Sequence, residues 1–284
     1  TTFLAEFTRH LAYMLNRMRY PKKFALLGVI ALLVIGTLLA QLAMTLRENI
    51  DFAEREVEAL GVVPRLLKVI QTSQQHRGLS NGALSGNTNF IAQREKKQAE
   101  VQAALAQAVQ SAQALAGSTQ SRKLQPLAQR VQADWSAVTA LVIAPGTKAP
   151  DSFRAHTALI SLQLEWLYQV LDASTLTLDP EAASYYLMSG ALEHLPGLTE
   201  SLGQARALGA AALSRRELSP ADRAAILTVV TTARLQADKA QALLSRSGEA
   251  DPVVQRALDY ANDVLNLEEE EAQRVQGVLH LSEA

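Results

Sequence analysis

The stretch Phe24-Ala25-Leu26-Leu27-Gly28-Val29-Ile30-Ala31-Leu32-Leu33-Val34-Ile35-Gly36-Thr37-Leu38-Leu39-Ala40-Gln41-Leu42-Ala43-Met44-Thr45-Leu46 carries no charge, and only Thr37, Gln41 and Thr45 interrupt its apolar side chains. About 20 such residues in a helix cross the hydrocarbon core of a bilayer, whereas a buried core helix is usually shorter and keeps a polar stripe. Residues 24–46 therefore read as a transmembrane helix. A cleaved signal peptide fits less well, because its apolar region runs to about 7–15 residues and no small-x-small cleavage site follows cleanly here. Before the span lie Arg9, Arg17, Arg19, Lys22 and Lys23 against the acid Glu6; beyond it come Glu48, Asp51, Glu54, Glu56 and Glu58 with Arg47 and Arg55. Basic flanks stay on the cytoplasmic side, so the chain after Leu46 is expected in the periplasm if the cell is Gram-negative, anchored in the inner membrane. Residues 1–23 place Phe3, Phe7, Leu11, Met14, Leu15 and Met18 near one helical face, which fits either an amphipathic helix on the inner leaflet or an undocked helical lead-in.

Residues 47–284 are expected to form one outer helical domain. Hydrophobic residues make up 48% of the chain but aromatic ones only 5%, so Ala and Leu must fill the core, which favours thin helix bundles over sheets. A net charge of -1 provides no basic excess for nucleic acid, and the absence of cysteine removes disulfides and thiolate metal sites. Three N-cap residues followed by proline, Asp179-Pro180, Ser219-Pro220 and Asp251-Pro252, mark helix starts. With softer breaks at Gly86-Asn87, Gly117-Ser118 and Pro145-Gly146, they predict helices over roughly 47–86, 89–117, 121–143, 151–177, 180–214, 220–247 and 252–284. Pro64 and Pro196 fall inside predicted helices and should kink or divide them. This all-α chain is longer than one four-helix bundle needs, so either one bundle carries extra helices or two four-helix modules stack end to end. The stack is the preferred expectation, with the two prolines marking where shared helices pass between modules.

No phosphate-cradling loop, nucleophile elbow or paired-histidine motif occurs; His10, His76, His156, His194 and His280 stand singly, and the run Glu268 to Glu271 reads as a solvated helix face. Neither a catalytic residue, a metal nor a cofactor is expected. The most unusual stretch is Gln74-Gln75-His76-Arg77-Gly78-Leu79-Ser80-Asn81-Gly82-Ala83-Leu84-Ser85-Gly86. Its glycines recur every four residues, which suits either a face for close approach or a fraying helix end. Arg77 beside that face offers a planar fork for a carboxylate or an oxyanion such as nitrate. A second polar cluster holds Ser184, Tyr185, Tyr186, His194 and Arg206, with Tyr186, Gly190, Glu193 and Gly197 on one helical face. Arg77 and Arg206 are thus the candidate anion-binding residues, with His76 and Tyr185 as lesser contacts.

At these residues the chain resembles the extracytoplasmic sensor region of bacterial methyl-accepting chemotaxis receptors. The likeness rests on Leu15-Asn16-Arg17-Met18-Arg19-Tyr20-Pro21-Lys22-Lys23-Phe24, Phe52-Ala53 with Glu56, Gly61 with Pro64, His76-Arg77-Gly78, Leu176-Thr177-Leu178-Asp179-Pro180, Ser184-Tyr185-Tyr186-Leu187-Met188, Leu195-Pro196, and Leu202-Gly203 with Ala205-Arg206 and Gly209. The Gln-rich approach to Arg77 is also similar to nitrate- and nitrite-sensing helical domains, which carry an acid where this chain has His76. The resemblance implies a homodimer in the inner membrane that binds a small molecule between helices and passes a displacement through the bilayer. In such receptors an adaptor and a histidine kinase bind a later signalling region, so the likeness covers the input half. Histidine kinases and diguanylate cyclases share such input domains. The competing class is a membrane-anchored helical scaffold of the cell envelope.

Overall fold

The structure, a computed structural model, describes residue 13 and residues 18–119, 121–178, 180–215 and 218–260. Among these residues the regular elements are helical and no strand occurs. The chain divides into two compact units, Thr1–Glu54 and Arg55–Ala284.

In the first unit, helix α1 (Tyr20–Leu84) opens with Pro21 in its first turn, where a missing backbone donor costs no hydrogen bond. Every residue from Phe24 to Leu46 is exposed. The Thr37 and Thr45 hydroxyls donate back to the carbonyls of Val34 (2.8 Å) and Gln41 (3.1 Å). That internal satisfaction is what a hydrocarbon environment demands of polar groups. Helix α1 is, among the described residues, the one long and apolar enough to cross a membrane. The span over residues 24–46 and the helix expected over roughly 47–86 are one continuous helix, for no glycine or proline interrupts residues 37–60. Most of the expected amphipathic lead-in lies outside the described residues.

The second unit is built on a core of four helices: α1 from Ala59 onward, α2 (Asn89–Thr119), α3 (Leu124–Ile143) and α4 (Ala149–Ala173). Val62, Leu66 and Val69 meet Val101, Leu105 and Leu115, Leu124 and Val131, and Leu159, Leu167 and Val170, all nearly or fully buried. Each such aliphatic side chain contributes about 1.5–3 kcal/mol by leaving water. Trp135 and Trp166, at 2% and 0% exposure, supply the bulk that a chain so poor in aromatics otherwise lacks. Pro64 is accommodated within α1 without ending it.

A 3-10 turn (Leu176–Leu178) leads to α5 (Ala182–Met188), a π-helical turn (Ser189–His194), α6 (Leu195–Arg215), α7 (Pro220–Ala250) and a helix α8 over residues 252–260. Pro196 has no N–H to offer the preceding turn, and the chain answers with the wider π turn immediately before it. The π turn and α6 pack on α7 through small residues: a side chain on Gly190 would meet Leu244 at 3.1 Å, and one on Gly197 would meet Gln236 at 3.2 Å, while Ala233 and Ala240 are buried. The further helices pack chiefly on one another, and side-chain hydrogen bonds tie them to the four-helix core. Tyr168 on α4 donates to the Glu193 carbonyl (3.1 Å), and further along Arg77 on α1 meets Glu200 on α6. The Ser219-Pro220 start carries a full capping box with Asp222, and the Asp251 carboxylate accepts from the Val253 N–H (2.7 Å). The third expected start shifts: α5 begins at Ala182, and Asp179 lies outside the described residues.

Candidate anion-binding site

The glycines of the 74–86 stretch serve three different purposes. Gly82 lies under the Phe90 ring, which an added Cβ would strike. Gly78 faces an open cleft, and Gly86, at φ +102°, makes the left-handed turn that ends α1. With Phe90 drawn in close, the last turns of α1 and the start of α2 form one wall of a cleft of about 970 Å³. Phe153 from α4 and Thr199, Gly203 and Arg206 from α6 complete it.

Arg77 enters this cleft with only 3% of its surface exposed. Its Nη1 donates to Glu200 Oε1 (2.6 Å) and to Thr157 Oγ1 (3.0 Å), and its Nη2 donates to Glu200 Oε2 (3.1 Å). The guanidinium carbon lies 5.1 Å from the centre of the Phe153 ring. Glu200, 5% exposed, also accepts from Gln74 Nε2 (3.0 Å) on Oε2 and from Gln204 Nε2 (2.8 Å) on Oε1. Gly203 is needed beneath this pair, since a Cβ there would sit 2.9 Å from Arg77 Nη2. Arg206 lines the same cleft and is exposed; among the described residues it has no hydrogen-bond or ion-pair partner. The other cleft cation, Lys97, is paired with Glu100. The cleft therefore holds one neutralised guanidinium and one uncommitted one, a setting suited to a small anion.

A family model described as nitrate and nitrite sensing matches residues 68–281, taking in both arginines. The chain belongs to the nitrate- and nitrite-sensing family. No match was found among curated proteins or among solved structures. The family is one of sensor domains rather than catalytic ones.

Within this nitrate- and nitrite-sensing domain the four expected contacts part company. Arg77 and Arg206 share the cleft. His76, wholly buried, turns into the four-helix core instead. His156 Nδ1 lies 2.7 Å from the Ser152 carbonyl, which can only accept, so that nitrogen carries the proton. His156 Nε2 then accepts, and His76 Nδ1 donates to it across 2.8 Å. This leaves His76 Nε2 unprotonated and, among the described residues, without a partner. Burial, then the neighbouring His156 and Arg94, lower the His76 pKa to about 3; burial chiefly lowers that of His156 to about 4. Both imidazoles are neutral at physiological pH. Tyr185 lies away from the arginines: its ring packs edge-on against Tyr186 and lines a small separate cavity with Leu171, Leu176 and Met188. The Gly190, Glu193 and Gly197 face is packing surface for the most part, with the glycines against α7 and Glu193 accepting from the Ser189 hydroxyl (2.6 Å).

Glu200, Thr157, Phe153 and Gln204 are site residues that the sequence reading did not single out. One signal pointed to them: Gly203 inside a helix costs about 1 kcal/mol relative to alanine and asks for a close neighbour.

Proposed function

We propose that this chain is the input portion of a membrane-bound receptor that binds nitrate or nitrite outside the cytoplasm, in the cleft between Arg77 and Arg206. The observation that supports this reading is the uncommitted Arg206 facing the same cleft as the buried Arg77, inside the region that matches the sensing family. Nitrate and nitrite present two oxygens in a plane, the edge that a guanidinium fork binds with parallel charge-assisted bonds. Phe153 and Phe90 lower the local polarity and strengthen those bonds.

In this reading the receptor is a homodimer, and its output is that of a chemotaxis receptor, reaching an adaptor and a histidine kinase through a signalling region. Arg77 and the apolar span belong to one helix, α1, so a shift of that helix at the ligand is carried toward the bilayer. The anion biases a pre-existing equilibrium between two arrangements of α1 and α6 by its difference in affinity for them.

Arg206 is the residue on which to test this, because removing Arg77 strands a buried carboxylate and costs about 3–5 kcal/mol of stability by itself. The full chain in detergent is expected to melt at higher temperature with nitrate or nitrite than with chloride at equal ionic strength. Arg206→Ala is expected to abolish most of that gain. A nitrate-specific gain that survives Arg206→Ala unchanged contradicts the site.

A further inference from the structure

Resting on that reading, we propose that Glu200 is an internal stand-in for the ligand: its carboxylate occupies the anion subsite proper, and a planar oxyanion binds by displacing it from Arg77. The carboxylate receives four side-chain hydrogen bonds, two from the Arg77 fork and one each from Gln74 and Gln204, between 2.6 and 3.1 Å. All four donors address the two oxygens of one planar O–C–O edge. Nitrate, nitrite and formate present the same edge, O–N–O or O–C–O, with one negative charge. Among the described residues no other arrangement of donors in the cleft is so complete for such an anion: Arg206 alone gives one fork on an exposed helix face.

Charge balance explains why the cleft has a second arginine. At rest Arg77 and Glu200 cancel. When an incoming monoanion takes the fork, the released Glu200 and the new anion share the cleft with Arg77, leaving one negative charge in excess. Arg206, with no partner among the described residues, supplies the compensating positive charge. Glu200 thus sets both the shape of the ligand and its affinity, because every ligand must first overcome the internal carboxylate. Breaking the bridge between α1 and α6 is then the event that ligand binding triggers.

The test is calorimetric titration of the full chain in detergent with sodium nitrate, formate and perchlorate. Glu200→Gln keeps the side-chain volume and removes the competing charge. It is expected to tighten nitrate and formate by about tenfold or more, the effect of one charge-assisted bond. Perchlorate, tetrahedral but equally charged, is expected to gain much less. Arg206→Ala is expected to weaken nitrate several-fold in the wild type but much less in the Glu200→Gln background, a non-additivity that marks a shared charge balance. If Glu200→Gln folds less well, the reading is the nitrate-dependent rise in its melting temperature over that in perchlorate, which is expected to exceed the wild-type rise. Nitrate binding that Glu200→Gln leaves equal or weaker overturns the stand-in while the sensing function stands. An equal gain for nitrate and perchlorate also overturns it, as a mere field effect. Absence of binding by any planar anion to either protein overturns both readings.

Discussion

Two buried imidazoles and one buried ion pair decide how the site end of the bundle behaves. His76 and His156 are fully buried, and their pKa values fall to about 3 and about 4 from an ordinary 6.5. Above pH 6.5 they are neutral folded or unfolded and their burial has no pH penalty. Below it the unfolded chain takes up protons that the folded chain refuses, so stability declines until the pH reaches the folded values. At pH 5 each imidazole should cost roughly 2 kcal/mol relative to neutral pH. Denaturant titrations at pH 7 and pH 5 should show this loss, and replacing both histidines with glutamine should flatten it. Arg77 was legible because its fork stands beside a glycine-lined face in one short stretch. Glu200 was not, since it lies 123 positions away and only the packing of α6 against α1 brings it there. His76 was misplaced for a related reason: its neighbour in sequence faces the cleft, but a helix turns adjacent side chains about 100° apart, and His76 points into the core.

Helix starts and stops followed local chemistry closely. The Ser219 hydroxyl accepts from the Asp222 N–H and the Asp222 carboxylate accepts from the Ser219 N–H, both at 3.1 Å, as the Ser-Pro-x-Asp pattern promises. Ser219→Ala should destabilise the outer domain by about 1 kcal/mol, visible as a lower denaturation midpoint without a change in slope. The boundary near Leu46 had no such signal, and the chain simply stays helical from Tyr20 to Leu84. The π turn at Ser189–His194 was also invisible in the sequence beyond the proline that requires it, because several backbone solutions can absorb a missing donor. The close pairing of α6 with α7 depends on glycines and alanines that permit contact but do not name the partner face.

The chain carries an exposed apolar helix and a helical domain in which a buried arginine and a buried glutamate meet at the edge of a cleft. The all-α class and the apolar N-terminal helix could be read from periodicity and charge alone, whereas the cleft arises from residues far apart in the chain. These 284 residues contain no cysteine, so a single thiol introduced into them reports on one position without background. Ala207 lines the cleft beside Arg206. The most direct measurement is the labelling rate of Ala207→Cys by a membrane-impermeant maleimide in intact spheroplasts, with and without nitrate. Labelling from outside that nitrate slows, and that chloride does not, is the expected result. A thiol that reacts only after the membrane is opened, or one that reacts at the same rate whatever the anion, would contradict the account.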